Sequence, residues 1–159
     1  MKTKDNPVRA DHARHLAKAK QSLRSRPGYL LRRCLQNTSS LFEDACADTG
    51  ITLRQYDVLF VLGQVGEMTQ GELSQLLDID RSTNALVIGI LEEKGLIARW
   101  GHPRDTRKKC VGLTPEGQTT LNTIKPRAQI AANALLEGLD SAEQQALLAT
   151  LNKIIDGVG

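Results

Sequence analysis

Over most of the chain, apolar residues recur every three or four positions, the spacing of helices that bury one face. From about Val8 to Ser25, the positions Val8, Ala13, Leu16, Ala17 and Leu23 stand among many basic residues. That pattern predicts a short basic helix or a partly ordered arm. Pro27-Gly28 interrupts it, and proline suits the first position of a new helix. The next helix runs to about Ala47, with Leu31, Cys34, Leu35, Thr38, Leu41, Phe42 and Ala45 at helical spacing, and Gly50 is its stop signal. Thr52 and Gln55 are spaced as a capping box for a helix carrying Leu53, Tyr56, Leu59, Phe60 and Leu62 and ending near Gly66. Thr69 and Glu72 repeat the device for a short helix burying Leu73, Leu76 and Leu77. Asp80 then caps a helix from Arg81 to Glu93, and Gly95 terminates it. Two short helices joined by so brief a connection have the helix-turn-helix spacing.

After Gly95 the period changes. Leu96–Trp100 and Lys109–Leu113 read as two short strands, with a turn-prone basic loop, Gly101–Lys108, between them. Thr114 caps a further helix with Pro115 at its first position, running to about Glu137. Ser141 is expected to cap the last helix, whose Leu147, Leu148, Leu151, Ile154 and Ile155 form one stripe. The order predicts a mainly α fold with a small β-hairpin wing. A winged helix-turn-helix domain spans 52–113, helical dimerisation segments span 27–48 and 115–157, and 1–26 is a basic arm or extra helix. Apolar stripes on terminal helices have little left to cover inside so small a domain, so they are expected to meet a second copy.

The 159 residues suffice for one core, and 40% apolar with 25% charged is ordinary for a folded protein. With only 3% aromatic residues, that core must be aliphatic. No apolar run approaches a membrane span, and the basic N-terminus is followed by no apolar stretch of a secretory signal. Three cysteines, at 34, 46 and 110, fit no metal box and suggest a reducing cytoplasm. His12, His15 and His102 fall in separate regions, so neither a metal nor another cofactor is expected. No phosphate loop, nucleophile elbow or other catalytic signature is present, which disfavours an enzyme.

Charge is segregated. Residues 1–33 carry ten Lys or Arg against Asp5 and Asp11, and residues 99–109 carry five against Asp105 alone. Two basic patches on an acidic body suggest a polyanion partner, which the helix-turn-helix order narrows to double-stranded DNA. The helix 81–93 is the candidate for the major groove. Val87, Ile88 and Leu91 point one way; Ser82, Ala85, Leu86 and Gly89 point the other. Arg81, Ser82, Thr83 and Leu86 are the candidate base readers, with Leu86 suited to a thymine methyl. Asn84 is either a further reader or a buried polar group. Arg99, Arg104, Arg107, Lys108 and Lys109 are long donors that can hold a wing on phosphates or in a minor groove. Asp105 is expected to pair with Arg107 or Arg99, and Trp100 to pack at the wing base. Thr69 and Gln70 sit where free helix N–H groups meet phosphates. A helical interaction module without DNA is the bland alternative, against which the basic hairpin counts.

The segments Gly50–Tyr56, Gly71–Leu77, Asp80–Thr83, Leu91–Ile97, Asp105-Thr106-Arg107 and Leu113–Gly117 follow one another in a specific order and spacing. Together they resemble the multiple antibiotic resistance regulator (MarR) family of bacterial transcription factors, over about residues 28–156. The resemblance implies an obligate homodimer with two winged domains on a pseudo-palindromic operator, usually a repressor, commonly relieved by a small molecule. The chain departs from the common pattern at Leu86, where many relatives carry a basic residue, and at Gly89-Ile90. Pro27–Arg33 resembles the start of the first core helix in members responding to aromatic acids, where an arginine binds the ligand carboxylate. Arg32 or Arg33 would match, with Thr38 and Tyr56 lining the cleft. An arginine fork beside an apolar cleft suits a carboxylate. A redox sensor is the alternative, since some relatives use a cysteine early in this helix; Cys34 stands about a turn later.

Overall fold

The computed structural model describes residues 7–157. They form seven helices, α1 (Pro7–Arg24), α2 (Pro27–Cys46), α3 (Leu53–Val65), α4 (Gln70–Leu76), α5 (Arg81–Glu93), α6 (Pro115–Leu136) and α7 (Ser141–Asp156), and three strands, β1 (Glu67–Thr69), β2 (Ile97–His102) and β3 (Asp105–Leu113). A 3-10 turn, Ala47–Thr49, follows α2. The chain divides into two compact units, one up to Thr38 and one from Ser39 onward.

In the first unit, α1 ends at Arg24, and after Ser25-Arg26 the chain restarts as α2 with Pro27 in its first turn. Tyr29 and Leu30 both donate their N–H groups to the Arg26 carbonyl, at 3.0 and 3.1 Å. The basic segment before Pro27 is thus helical over Pro7–Arg24. Leu16, Leu23, Leu30, Leu31 and Leu35 are exposed.

The second unit holds the core. Phe42 and Cys46 from α2, Val58, Leu59 and Leu62 from α3, Leu73 from α4 and Val87, Ile88 and Leu91 from α5 close on Ile97, Val111, Leu121 and Ile124. Apart from Phe42 and Cys46 it is aliphatic, as the composition requires. Burying each such side chain contributes about 1.5–3 kcal/mol. Both expected capping boxes form: Thr52 with Gln55 at α3, and Thr69 with Glu72 at α4. Gly95 takes φ +70° and turns the chain from α5 into β2, as a terminator in the left-handed region does.

The sheet is antiparallel with order β1-β3-β2. Three details differ from the sequence expectations. β1 was not expected: it pairs Glu67 with Gly112 and Thr69 with Cys110, tying the start of the helix-turn-helix to the wing. The strands also run into the wing loop. Trp100 pairs with Cys110, Gly101 with Lys109 and then His102 with Asp105, so residues 106–108 of β3 face no residue of β2. Third, Asp140 caps α7, not Ser141. The Asp140 carboxylate accepts from the Glu143 N–H, and Glu143 accepts from the Asp140 N–H, both at 2.9 Å; Ser141 is the first helical residue. A carboxylate at this position also complements the positive end of the helix.

On α6 and α7, Ile130, Leu148, Ile154 and Ile155 are exposed. No helix among the described residues is long and apolar enough to cross a membrane.

Candidate nucleic-acid interface

Asp80 organises the start of α5. Its carboxylate accepts from the Thr83 N–H at 2.9 Å, from the Thr83 hydroxyl at 2.5 Å and from the Ser82 hydroxyl. These donors, the Ser82 hydroxyl foremost, hold the carboxyl well below the ordinary carboxylate range. Both hydroxyl protons are thereby committed, leaving Ser82 and Thr83 only lone pairs to offer a partner.

Leu86 is 66% exposed, whereas Val87, Ile88 and Leu91 are buried, so the two faces read from the helical period are the faces observed. Asn84 is 1% exposed. Its amide donates to the Gln70 carbonyl at 2.9 Å and to the Ser74 hydroxyl at 2.5 Å, joining α5 to α4. Of the two roles open to it, the buried one is observed: the side chain is enclosed between α5 and α4. Ser74 was missed, although a polar residue inside the Leu73–Leu77 stripe is the signal that marks it. Asn84→Ala is expected to leave the Ser74 hydroxyl and the Gln70 carbonyl short of a partner, at about 1–3 kcal/mol. Urea denaturation checks this: the midpoint should fall with the slope unchanged.

The wing rises beside this pair of helices. Arg107 donates through Nε to Asp105 Oδ1 at 3.2 Å and through its backbone N–H to the same oxygen at 3.1 Å. Those bonds pull the Asp105 carboxyl below its usual range. Arg99 is held instead by Glu92 of α5, which bonds its guanidinium directly. Asp105 therefore has Arg107 as its partner, and Arg99 braces β2 against α5. Among the described residues, Arg81, Arg104, Lys108 and Lys109 have no carboxylate partner. Trp100 lies over Gly112 at the wing base, where a β-carbon would come within 2.8 Å of the indole ring.

Between α4, α5 and β3 lies a cleft of about 350 Å³, lined by Thr69, Gln70, Gly71, Ser74, Arg81, Asn84, Ala85, Arg107, Lys108 and Lys109. Four cations surround a polar floor. The Thr69 hydroxyl is occupied in its cap, donating to Glu72 at 2.7 Å, and the Glu72 carboxyl is held below its usual range by the Thr69 N–H and that hydroxyl. Gln70 Nε2 and Asn84 Oδ1, one donor and one acceptor, are buried without a hydrogen-bond partner among the described residues. The cleft thus joins Thr69, Gln70, Arg81, Asn84, Arg107, Lys108 and Lys109 from the expected contacts, and adds Ser74. Arg99 and Arg104 do not line it.

The expected ligand residues are placed as follows. The Arg32 guanidinium lies 5.7 Å from the centre of the Tyr29 ring. Arg33 donates to Gln36 at 3.2 Å, and the Thr38 hydroxyl donates back to the Cys34 carbonyl at 2.8 Å. In the second unit, Tyr56 packs between Phe42 and Phe60, with ring centres at 5.3 and 5.9 Å. Burial pushes the Tyr56 hydroxyl up. Cys34 is exposed, whereas Cys46 and Cys110 are buried as packing residues; burial raises the Cys46 thiol.

Comparison with known proteins agrees with this architecture. Residues 51–109 match the model of the MarR family. The HTH-type transcriptional repressor NicR of Pseudomonas putida is 30% identical over 129 residues, covering 81% of this chain and 82% of NicR. Among solved structures, Bordetella bronchiseptica BpsR, whose DNA binding is regulated by 6-hydroxynicotinic acid, superposes with a TM-score of 0.78 at 31% identity, over 82% of this chain and 94% of that one. A MarR mutant from Escherichia coli complexed with operator DNA gives 0.76 at 25% identity, over 80% and 91%. The winged helix-turn-helix, its basic wing and these likenesses place the chain in the MarR family of transcription regulators.

Proposed function

We propose that the chain is a homodimeric repressor that binds a pseudo-palindromic operator and leaves it when a small aromatic carboxylate binds. The observation that carries the DNA half is the cleft where Arg81, Arg107, Lys108 and Lys109 face the exposed side of α5. A DNA phosphate there would replace solvent around four cations. α5 would lie in the major groove with the wing on the flanking backbone. Two copies would place α5 in half-sites roughly 10 bp apart. The exposed leucines and isoleucines of α2, α6 and α7 supply apolar surface for the second copy.

The ligand half rests on Arg32 and Arg33. In Arg32 a guanidinium already lies against the Tyr29 ring, so a charged fork and a flat apolar surface stand together. An aromatic carboxylate matches both. The regulation of BpsR by such an acid supports this choice of effector class. Thr38, on the same helix, is proposed to complete the contacts.

Fluorescence anisotropy with a duplex from upstream of the protein's own gene tests the scheme, with and without aromatic carboxylates. Tight, salt-sensitive binding relieved by one of them is the expected result. Arg32→Ala or Arg33→Ala should abolish that relief while leaving operator affinity within about twofold. Relief retained in both variants would overturn the carboxylate fork. Relief by oxidant alone, with that relief lost and binding kept in Cys34→Ser, would establish the redox alternative.

A further inference from the structure

We propose that α5 reads thymine 5-methyl groups, with Leu86 as the specificity-determining residue; this rests on the DNA-binding function proposed above. The polar side chains that α5 could turn to a base are largely spent within the protein. Ser82 and Thr83 already donate their hydroxyls to the Asp80 carboxylate, and the Asn84 amide is buried against α4. The exposed tread that remains is Ala85, Leu86 and the open backbone at Gly89, where an added β-carbon would meet nothing within 4 Å. Leu86 stands out from it at 66% exposure.

The occupant follows from the rim. Arg81, Arg107, Lys108 and Lys109 line the cleft that Ala85, at one end of this tread, also lines, so a polyanion seated there brings its own surface against the helix. In the major groove of duplex DNA, each base edge offers hydrogen-bonding atoms, and only thymine adds an apolar group, its C5 methyl. An aliphatic side chain without competing polar neighbours gains from that methyl and from nothing else on the groove floor. Small flanking residues let the helix backbone come close enough for contact. Arg81 remains as the one long donor at the head of the helix, suited to a guanine or a phosphate.

The test starts with the full-length protein selecting duplexes from a random-sequence pool at fixed salt. The recovered duplex is then resynthesised with deoxyuridine replacing thymidine at one symmetric pair of positions at a time, which deletes a methyl and changes no hydrogen-bonding group. At one or two positions the wild type should lose about fourfold per half-site, or about fifteenfold with both half-sites substituted, the worth of one buried methyl. Leu86→Ala, a change at an exposed position, should bind the thymidine and deoxyuridine duplexes equally at those positions. A wild type indifferent to deoxyuridine everywhere, or a Leu86→Ala variant that keeps the full penalty, would overturn the proposal and leave DNA binding standing. Enrichment of no duplex would overturn both.

Discussion

Gly117→Ala is expected to remove about 3 kcal/mol or more of stability, the largest effect of a β-carbon added at any described glycine. A β-carbon at Gly117 would lie 1.8 Å from the Leu96 carbonyl oxygen and 2.8 Å from its carbon. Both are backbone atoms, so no side chain can swing aside. The crowding has a structural cause. Thr114 accepts from the Gly117 N–H at 3.0 Å and donates to the Gly95 carbonyl at 2.7 Å, while the Thr114 N–H reaches the Leu96 carbonyl at 3.0 Å. These bonds draw the first turn of α6 down onto the link between α5 and β2. To admit a methyl, α6 must lift, pulling Leu121 and Ile124 from a core in which they are at most 4% exposed. Gly138→Ala is the control, since a β-carbon there meets nothing within 4 Å. Thermal unfolding at fixed protein concentration compares the two; a Gly117→Ala variant melting within 2 °C of wild type, on the order of a few tenths of a kcal/mol, would refute the close approach.

The helices were legible because their signals are local. Apolar period, a capping residue and a glycine stop all lie within a few positions of the element they define. The 67–69 strand was not legible: three residues cannot show a period of two, and β1 exists because β3 offers it an edge after folding. The outer wing strands were hidden for another reason. Arg107, Lys108 and Lys109 are all exposed, so no inward face imprints an alternation on the sequence. Pro126 lies inside α6, yet the helix runs on to Leu136. A proline there costs about 3 kcal/mol in isolation, and burial of Leu121, Ile124 and Ala131 on either side offsets it. At the site, charge segregation pointed to the wing and the helical wheel to Leu86. The cleft itself joins residues from 69 to 109, a juxtaposition set by the β1–β3 pairing. Asn84 shows the limit most clearly: an amide on a recognition helix reads equally well as a base contact or a brace, and only its burial against Ser74 decides.

Replacing Arg107 and Lys108 together by alanine is expected to weaken binding to every duplex alike, on the order of a thousandfold at physiological salt in the proposed dimer. The two residues sit where β3 has no partner in β2, so the backbone presents them outward whatever the operator sequence. The bonds from Arg107 to Asp105 do not compete seriously with DNA. The Arg107 side chain is 89% exposed, and an ion pair so exposed to water contributes little. A phosphate can therefore take the guanidinium over while Asp105 continues to hold the Arg107 backbone N–H and the shape of the tip. Four lost phosphate contacts per dimer should also flatten the dependence of log affinity on log salt by about 3.5 units, or about two for Arg107→Ala alone. Acidity offers a check on the assignment. The carboxyls of Glu72, Asp80 and Asp105 are all lowered, so what each contributes is fully present above its ordinary range and lost only as pH falls through its folded value. Between about pH 5 and 8 those groups stay ionised, so none of the three carboxyls adds a pH dependence to the salt slope. Equal salt slopes for wild type and the double variant would remove the wing from the interface and leave α5 to hold the duplex alone.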